Sequence, residues 1–122
     1  MTPADRDDTR MWAVEYDRLA THYEQESVKL RERSRRRTEQ IELKAAQQGE
    51  ATPYLTVDPA SVAYSWAGDD PKLKEYNAGI NIVERRATMY AGMAASLKLT
   101  LLLDALADGI NISGSFTKPP TR

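Results

Sequence analysis

The sequence predicts an all-α fold: an elongated antiparallel hairpin of two long helices, coiled-coil-like and assembling with copies of itself. Three observations predict it. Residues 1–48 hold no glycine and a single proline, Pro3, and residues 72–108 hold no proline. Both blocks repeat apolar residues at helical intervals. Between them, residues 49–71 carry three prolines and two glycines, the composition of a connection.

The first helix is expected over about 3–48. Thr2 can cap, Pro3 sits where a missing N–H costs nothing, and Asp5 lies three residues after the cap. Asp7 and Asp8 place negative charge near the positive end of the helix dipole. Trp12, Tyr16, Leu19, Tyr23, Leu30, Ile41 and Ala45 form one stripe, with Ser27, Ser34 and Thr38 filling the middle. The steps average about 3.67 residues per turn, so the stripe stays continuous along a straight helix of roughly 65–70 Å. Gly49 reads as the stop.

The connection, about 49–70, is expected to be an ordered loop. Tyr54, Leu55, Val57, Val62, Tyr64 and Trp66 make it too apolar for a solvated linker, so it should fold back on the helices.

The second helix, about 71–108, starts at a cap on Asp69 or Asp70 with Pro71 in the first turn. The stripe Leu73, Tyr76, Ile80, Val83, Ala87, Tyr90, Ala94, Leu97, Leu101 steps 3 and 4 alternately, which is heptad spacing. A second stripe, Ile82, Met89 and Met93, runs beside it, and after Leu97 the chain is apolar nearly all round. Interior glycines Gly79 and Gly92 suggest the close approach of another backbone, since each costs about 1 kcal/mol against alanine. Gly109 reads as the stop, with 111–122 a polar flexible tail. Residues 1–110 thus form one domain. Two such helices cannot enclose a core, so the leftover apolar surface is expected to be buried between copies, with Leu73, Tyr76, Ile80, Val83, Tyr90, Leu97 and Leu101 as the seam.

Composition narrows function. No cysteine means no disulfide framework and no thiolate chemistry. The acidic start lacks the apolar core of a secretory signal, and no run of about 18 apolar residues marks a membrane span. His22, the only histidine, reads as a surface residue paired on its own helix with Glu26. Asp5, Asp7, Asp8, Asp69 and Asp70 read as helix-start residues rather than cation ligands. Neither a catalytic constellation nor a cofactor or metal motif is expected, which points away from an enzyme.

Charge is segregated along the first helix. Residues 29–37 hold Lys29, Arg31, Arg33, Arg35, Arg36 and Arg37 against Glu32 alone, while the first 26 residues have a net charge of −4. One reading is a belt of forked contacts to DNA phosphates. The other is a solvated face stitched by i,i+4 pairs, Glu32–Arg36 and Arg35–Glu39.

The segments Asp5–Leu30 and Asp70–Thr100 resemble the hairpin region of tailed-phage terminase small subunits. The first shares an Asp-Arg start, aromatics and a charged amphipathic run. The second shares the opening Asp70-Pro71 (Asn-Pro in the family), Leu73, Asn77 and the closing Leu97-Lys98-Leu99-Thr100, where Lys98 stands at the family's Gly. The resemblance covers under half of the chain. It implies a non-enzymatic packaging adaptor in the host cytoplasm. Such an adaptor oligomerises, holds double-stranded DNA and engages a large terminase ATPase/nuclease subunit. Trp66-Ala67-Gly68, lying between two helices, also resembles the turn of small secreted Trp-x-Gly helical hairpins. A structural or interaction hairpin binding other proteins' helices is the alternative class.

Overall fold

The computed structural model describes residues 1–51 and 58–117, with side chains for 1–49 and 58–109. The described residues form three helices, α1 (Pro3–Ala51), α2 (Pro59–Asp69) and α3 (Pro71–Thr117), and no strand. They divide into two compact units: Met1–Thr21 with Ala87–Arg122, and His22–Arg86.

Each helix opens on a polar residue followed by proline. At α1 the Asp5 amide donates to Thr2 Oγ1 (3.1 Å) and the Thr2 amide donates to Asp5 Oδ2 (3.2 Å), the reciprocal capping box. At α2 the Asp58 carboxylate accepts from the Ala60 amide (3.1 Å). At α3 the Asp70 carboxylate accepts from the Leu73 amide (3.0 Å), which decides between the two expected caps.

The expected loop is largely a helix. Asp58-Pro59 follows the same cap-then-proline pattern as the other two starts, so α2 replaces half of the 49–70 connection. Tyr54, Leu55 and Val57 lie outside the described residues. Gly49 does not stop α1, which runs to Ala51. A Cβ there would lie 3.1 Å from Pro59 Cγ, so the missing side chain makes room for the start of α2. Gly109 does not stop α3 either, and 111–117 are helical rather than a tail. A C-terminal glycine ends a helix by adopting positive φ, and no described glycine does. Residues 118–122 lie outside the described part.

In the unit His22–Arg86, Ile41, Ala45, Ala63 and Leu73 form the core, with Val62, Trp66, Ala67 and Tyr76 packed on it. The expected fold-back thus occurs through α2, and the Lys44 ammonium lies 5.9 Å from the centre of the Trp66 ring. α1 and α3 run antiparallel here: Leu30 meets Gly79, and Arg37 meets Asp70. A Cβ on Gly79 would sit 3.2 Å from Leu30 Cδ1, so that glycine makes room for leucine.

In the other unit the packing is made by small residues. Ala13 and Ala20 on α1 and Ala87 and Ala94 on α3 are buried at intervals of seven, and Tyr16 stacks on Tyr90 at 5.9 Å between ring centres. Small side chains at every second layer let two helices approach closely. The α3 stripe lies as expected: Leu73, Ile80, Ala87 and Ala94 are buried, and Tyr76, Val83, Tyr90, Leu97 and Leu101 are half-buried. On α1 the stripe is shifted at its start. Trp12 is 50% exposed and Ala13 takes the inward position.

Candidate functional site

The arginine belt 29–37 lies wholly within α1 and the unit His22–Arg86. Helical geometry spreads nine successive residues over every side of the cylinder, so the belt is not one face.

Five of its six cations meet a carboxylate. Lys29 reaches Glu26 (3.3 Å), and Arg36 donates through Nε to Glu32 (3.1 Å). Arg35 forks onto Glu32, with Nε donating at 2.9 Å, and also reaches Glu39. Hydrogen bonds from Arg35, then Arg36, hold the Glu32 carboxyl down at about 2. The other two bonds cross between helices. Arg31 donates through Nε to Glu84 on α3 (2.9 Å), where Ser27 Oγ also donates (3.0 Å). These partners lower the Glu84 pKa, Arg31 most and Ser27 next.

Arg37 makes a two-pronged contact with Asp70, Nε at 3.1 Å and Nη2 at 2.7 Å. Asp70 is only 8% exposed. The Arg37 guanidinium, then the Leu73 amide, hold its carboxyl down at about 2. Asp70 therefore caps α3, donates its own amide to Ala67 O at the end of α2 (3.4 Å) and anchors α1. Arg37 is a structural tie between the helices.

Arg33 is exposed and has no acidic partner among the described residues. The two i,i+4 pairs expected from sequence are both present. The acids of Glu26, Glu84 and Asp70 lie outside the 29–37 window, so a count within that window misses them. His22 is exposed and sits edge-on to Tyr23 at 5.2 Å. Among the described residues, no group of three or more His, Asp or Glu forms a possible metal site.

A larger feature lies on α3 in the other unit. Of residues 88–107 only Lys98 and Asp104 are charged. Lys98 reaches Asp17 (2.6 Å), and Asp104 accepts from Arg6 Nε (2.6 Å). Both charges are thus tied to α1, and the Arg6 contact lowers the Asp104 pKa. The opposite side of α3 carries no charge. There Met89, Leu99, Leu102, Leu103 and Leu106 stand 50–56% exposed. The sequence marked this stretch as apolar nearly all round. Its expectation that no segment is long and apolar enough to span a membrane is corrected: an 18-residue window of α3 has a mean hydropathy of 1.3, and only 6% of it is buried. Alternating alanine, glycine and serine with leucine keeps the average high without an unbroken apolar run.

No protein-family model, curated protein or solved structure matches the chain.

Proposed function

We propose that this chain is a non-enzymatic assembly protein: an antiparallel pair of long helices that binds copies of itself through α3. The observation that carries this is the charge-free, half-exposed apolar side of α3 over 88–107. A patch of this size on a soluble monomer marks an interaction site, because leaving it in water forgoes about 25 cal/mol per Å².

A more specific form of the reading is a DNA-packaging adaptor of the terminase small-subunit kind. The sequence resemblance and the antiparallel helices support that form. In it, the exposed Arg33 and Arg36 touch phosphates, and a large terminase subunit is the protein partner. Arg31, Arg35 and Arg37 are committed to carboxylates, and Arg36 would have to exchange its single bond to Glu32 for a phosphate, so any contact with DNA is shallow and indifferent to sequence.

Two measurements test the two levels. Solution mass is expected to be a multiple of 13.7 kDa, and a single chain at all concentrations overturns the assembly reading. DNA affinity is then measured at two salt concentrations for wild type and for Arg33→Gln with Arg36→Gln. The packaging form expects weak binding that falls steeply with salt, with a slope near −0.9 per neutralised phosphate and a shallower slope in the variant. Absence of binding at low salt refutes the DNA contact and leaves a protein-binding hairpin.

A further inference from the structure

Resting on the assembly reading, we infer that two copies pair through the outer side of α3, antiparallel, in one register: Met89 against Leu106, Gly92 against Leu103, Ser96 against Leu99. These six positions follow a 3-4 alternation, the spacing of a coiled-coil seam. They lie on the side of α3 opposite the buried Ala87 and Ala94. The helix therefore carries two seams back to back, one filled by α1 and one open.

Three observations fix the occupant and the direction. The first is area. Met89, Leu99, Leu103 and Leu106 are each 50–56% exposed, and so is the adjoining Leu102, with Met93 at 37%. At roughly 200 Å² for a fully open side chain of this size, they offer about 600 Å², and the small residues between them bring the face near the ~800 Å² that each partner gives to a stable complex.

The second is the order of sizes. After Met89 the stripe runs from small to large, Gly92 and Ser96 before Leu99, Leu103 and Leu106. A parallel pair would set Gly92 on Gly92 and leave a void, with leucines crowded on leucines beyond it. Antiparallel pairing in the stated register places a leucine over each small residue. Its two-fold axis falls midway along residues 88–107, whose outward side carries no charge, so the apolar face is covered end to end.

The third is charge. Of residues 88–107 only Lys98 and Asp104 are charged, and both are paired with residues of α1, so the seam positions carry no charge. A seam without Lys or Arg offers no cation to an anionic lipid surface, and it places no like charges against each other in a second copy.

The chain has no cysteine, so disulfide trapping reads the register directly. Gly92→Cys and Leu103→Cys are made separately, with tags of different size, then refolded together and oxidised mildly. A Cβ at Gly92 meets nothing within 4 Å, and Leu103 is 56% exposed, so neither change disturbs the chain's own packing. The expected product links one copy of each variant. Neither variant links to itself, because each position lies roughly 16 Å along the axis from its own counterpart, beyond the ~7 Å limit between bridged Cα atoms. Met89→Cys with Leu106→Cys reports the same register independently.

Efficient self-linking of Leu103→Cys means parallel pairing or a different antiparallel register, and either overturns the inference. Leu99→Glu with Leu103→Glu is expected to reduce the mass at least by half with helicity unchanged. If that variant keeps the native mass, copies meet elsewhere: this interface is refuted while the assembly reading stands. A wild-type mass of 13.7 kDa at all concentrations refutes both, and sedimentation of that monomer with phosphatidylcholine vesicles would assign the face to lipid.

Discussion

Two leucines of α3 give a direct test of which side of the helix holds the chain together. Leu73 is 5% exposed and packs with Ile41, Ala45 and Ala63, whereas Leu99 is 55% exposed. Truncating Leu73 to alanine removes a nearly fully buried isobutyl group and leaves a cavity. Substitutions of this kind cost about 2–5 kcal/mol. The core here is thin, three helical layers with open edges, so partial collapse places the expected loss near 2–3 kcal/mol. Leu73 also donates its amide to Asp70, and alanine keeps that donor, so the loss measures packing alone. With a urea slope of about 1–3 kcal/mol per M for a domain of this size, the midpoint should fall by roughly 0.7–3 M. Leu99→Ala, measured at a dilution where single chains dominate, should change stability by less than about 0.5 kcal/mol. At high protein concentration the Leu99 change should become the more costly of the two relative to its dilute value, because assembly stabilises only the form that binds. The assay is urea unfolding followed by far-UV circular dichroism at two protein concentrations. A Leu73→Ala midpoint within error of wild type would refute the assigned core. An effect of Leu99→Ala that does not depend on concentration would refute the assignment of the outer face to assembly.

The remaining predictions concern charge, capping and metals. Asp70 and Glu32 have carboxyl pKa values near 2 in the folded chain, held there first by Arg37 and Arg35 respectively. A depressed folded value stabilises above the unfolded pKa, so the melting temperature should stay level from pH 7 to about 5 and fall between about pH 4 and 2. Asp70→Asn should lower the melting temperature at pH 7 and flatten that acid-side fall, and an unchanged pH profile would contradict the Arg37 tie. Asp58→Ala removes the cap of α2 and should cost about 1 kcal/mol. The accompanying signal is a change in Trp66 fluorescence at low denaturant, while Trp12→Phe in the background isolates that ring. Exhaustive chelation should leave helicity and melting temperature unchanged, and a drop of several degrees would reveal a cation held by Asp5, Asp7 and Asp8.

The helices were legible because heptad spacing on α3 leaves little choice. Alternating steps of 3 and 4 from Leu73 to Leu101 put one face inward, and every one of those positions is buried or half-buried. Two errors share a cause, the treatment of single residues as punctuation. Glycine ends a helix only when the chain turns left-handed after it, and Gly49 and Gly109 remain helical. Proline in a connection suggests a loop, but at Pro59 the preceding aspartate makes it a helix start. Trp12 misled because aromatic bulk suggests burial. The inward position instead belongs to Ala13, since alanines in both helices allow the close approach that Tyr16 and Tyr90 then span by stacking.

The arginine belt raises a different difficulty, because charge on a helix is not a property of a window. Along residues 29–37 the excess is five positive charges. In space, Glu26 and Glu39 approach from neighbouring turns of the same helix, and Glu84 and Asp70 approach from α3. Five of the six cations then meet five carboxylates, with Arg33 left over, and the local field that would draw a phosphate is much reduced. The same logic runs in reverse on α3. Its second half contains Lys98 and Asp104, which in sequence look like the charges of a solvated face. Both turn towards α1 and are neutralised by Asp17 and Arg6, and the side left outward is uncharged and mostly apolar. Ion pairs along α1 and across to α3 thus offset most of the belt's excess charge in one unit, and cross-helix pairs draw charge away from the outer face of α3 in the other. An exposed leucine in water loses the stabilisation that burial would bring, while a paired arginine gains little from exchanging one carboxylate for a phosphate. The free energy available for association therefore lies on the outer side of α3.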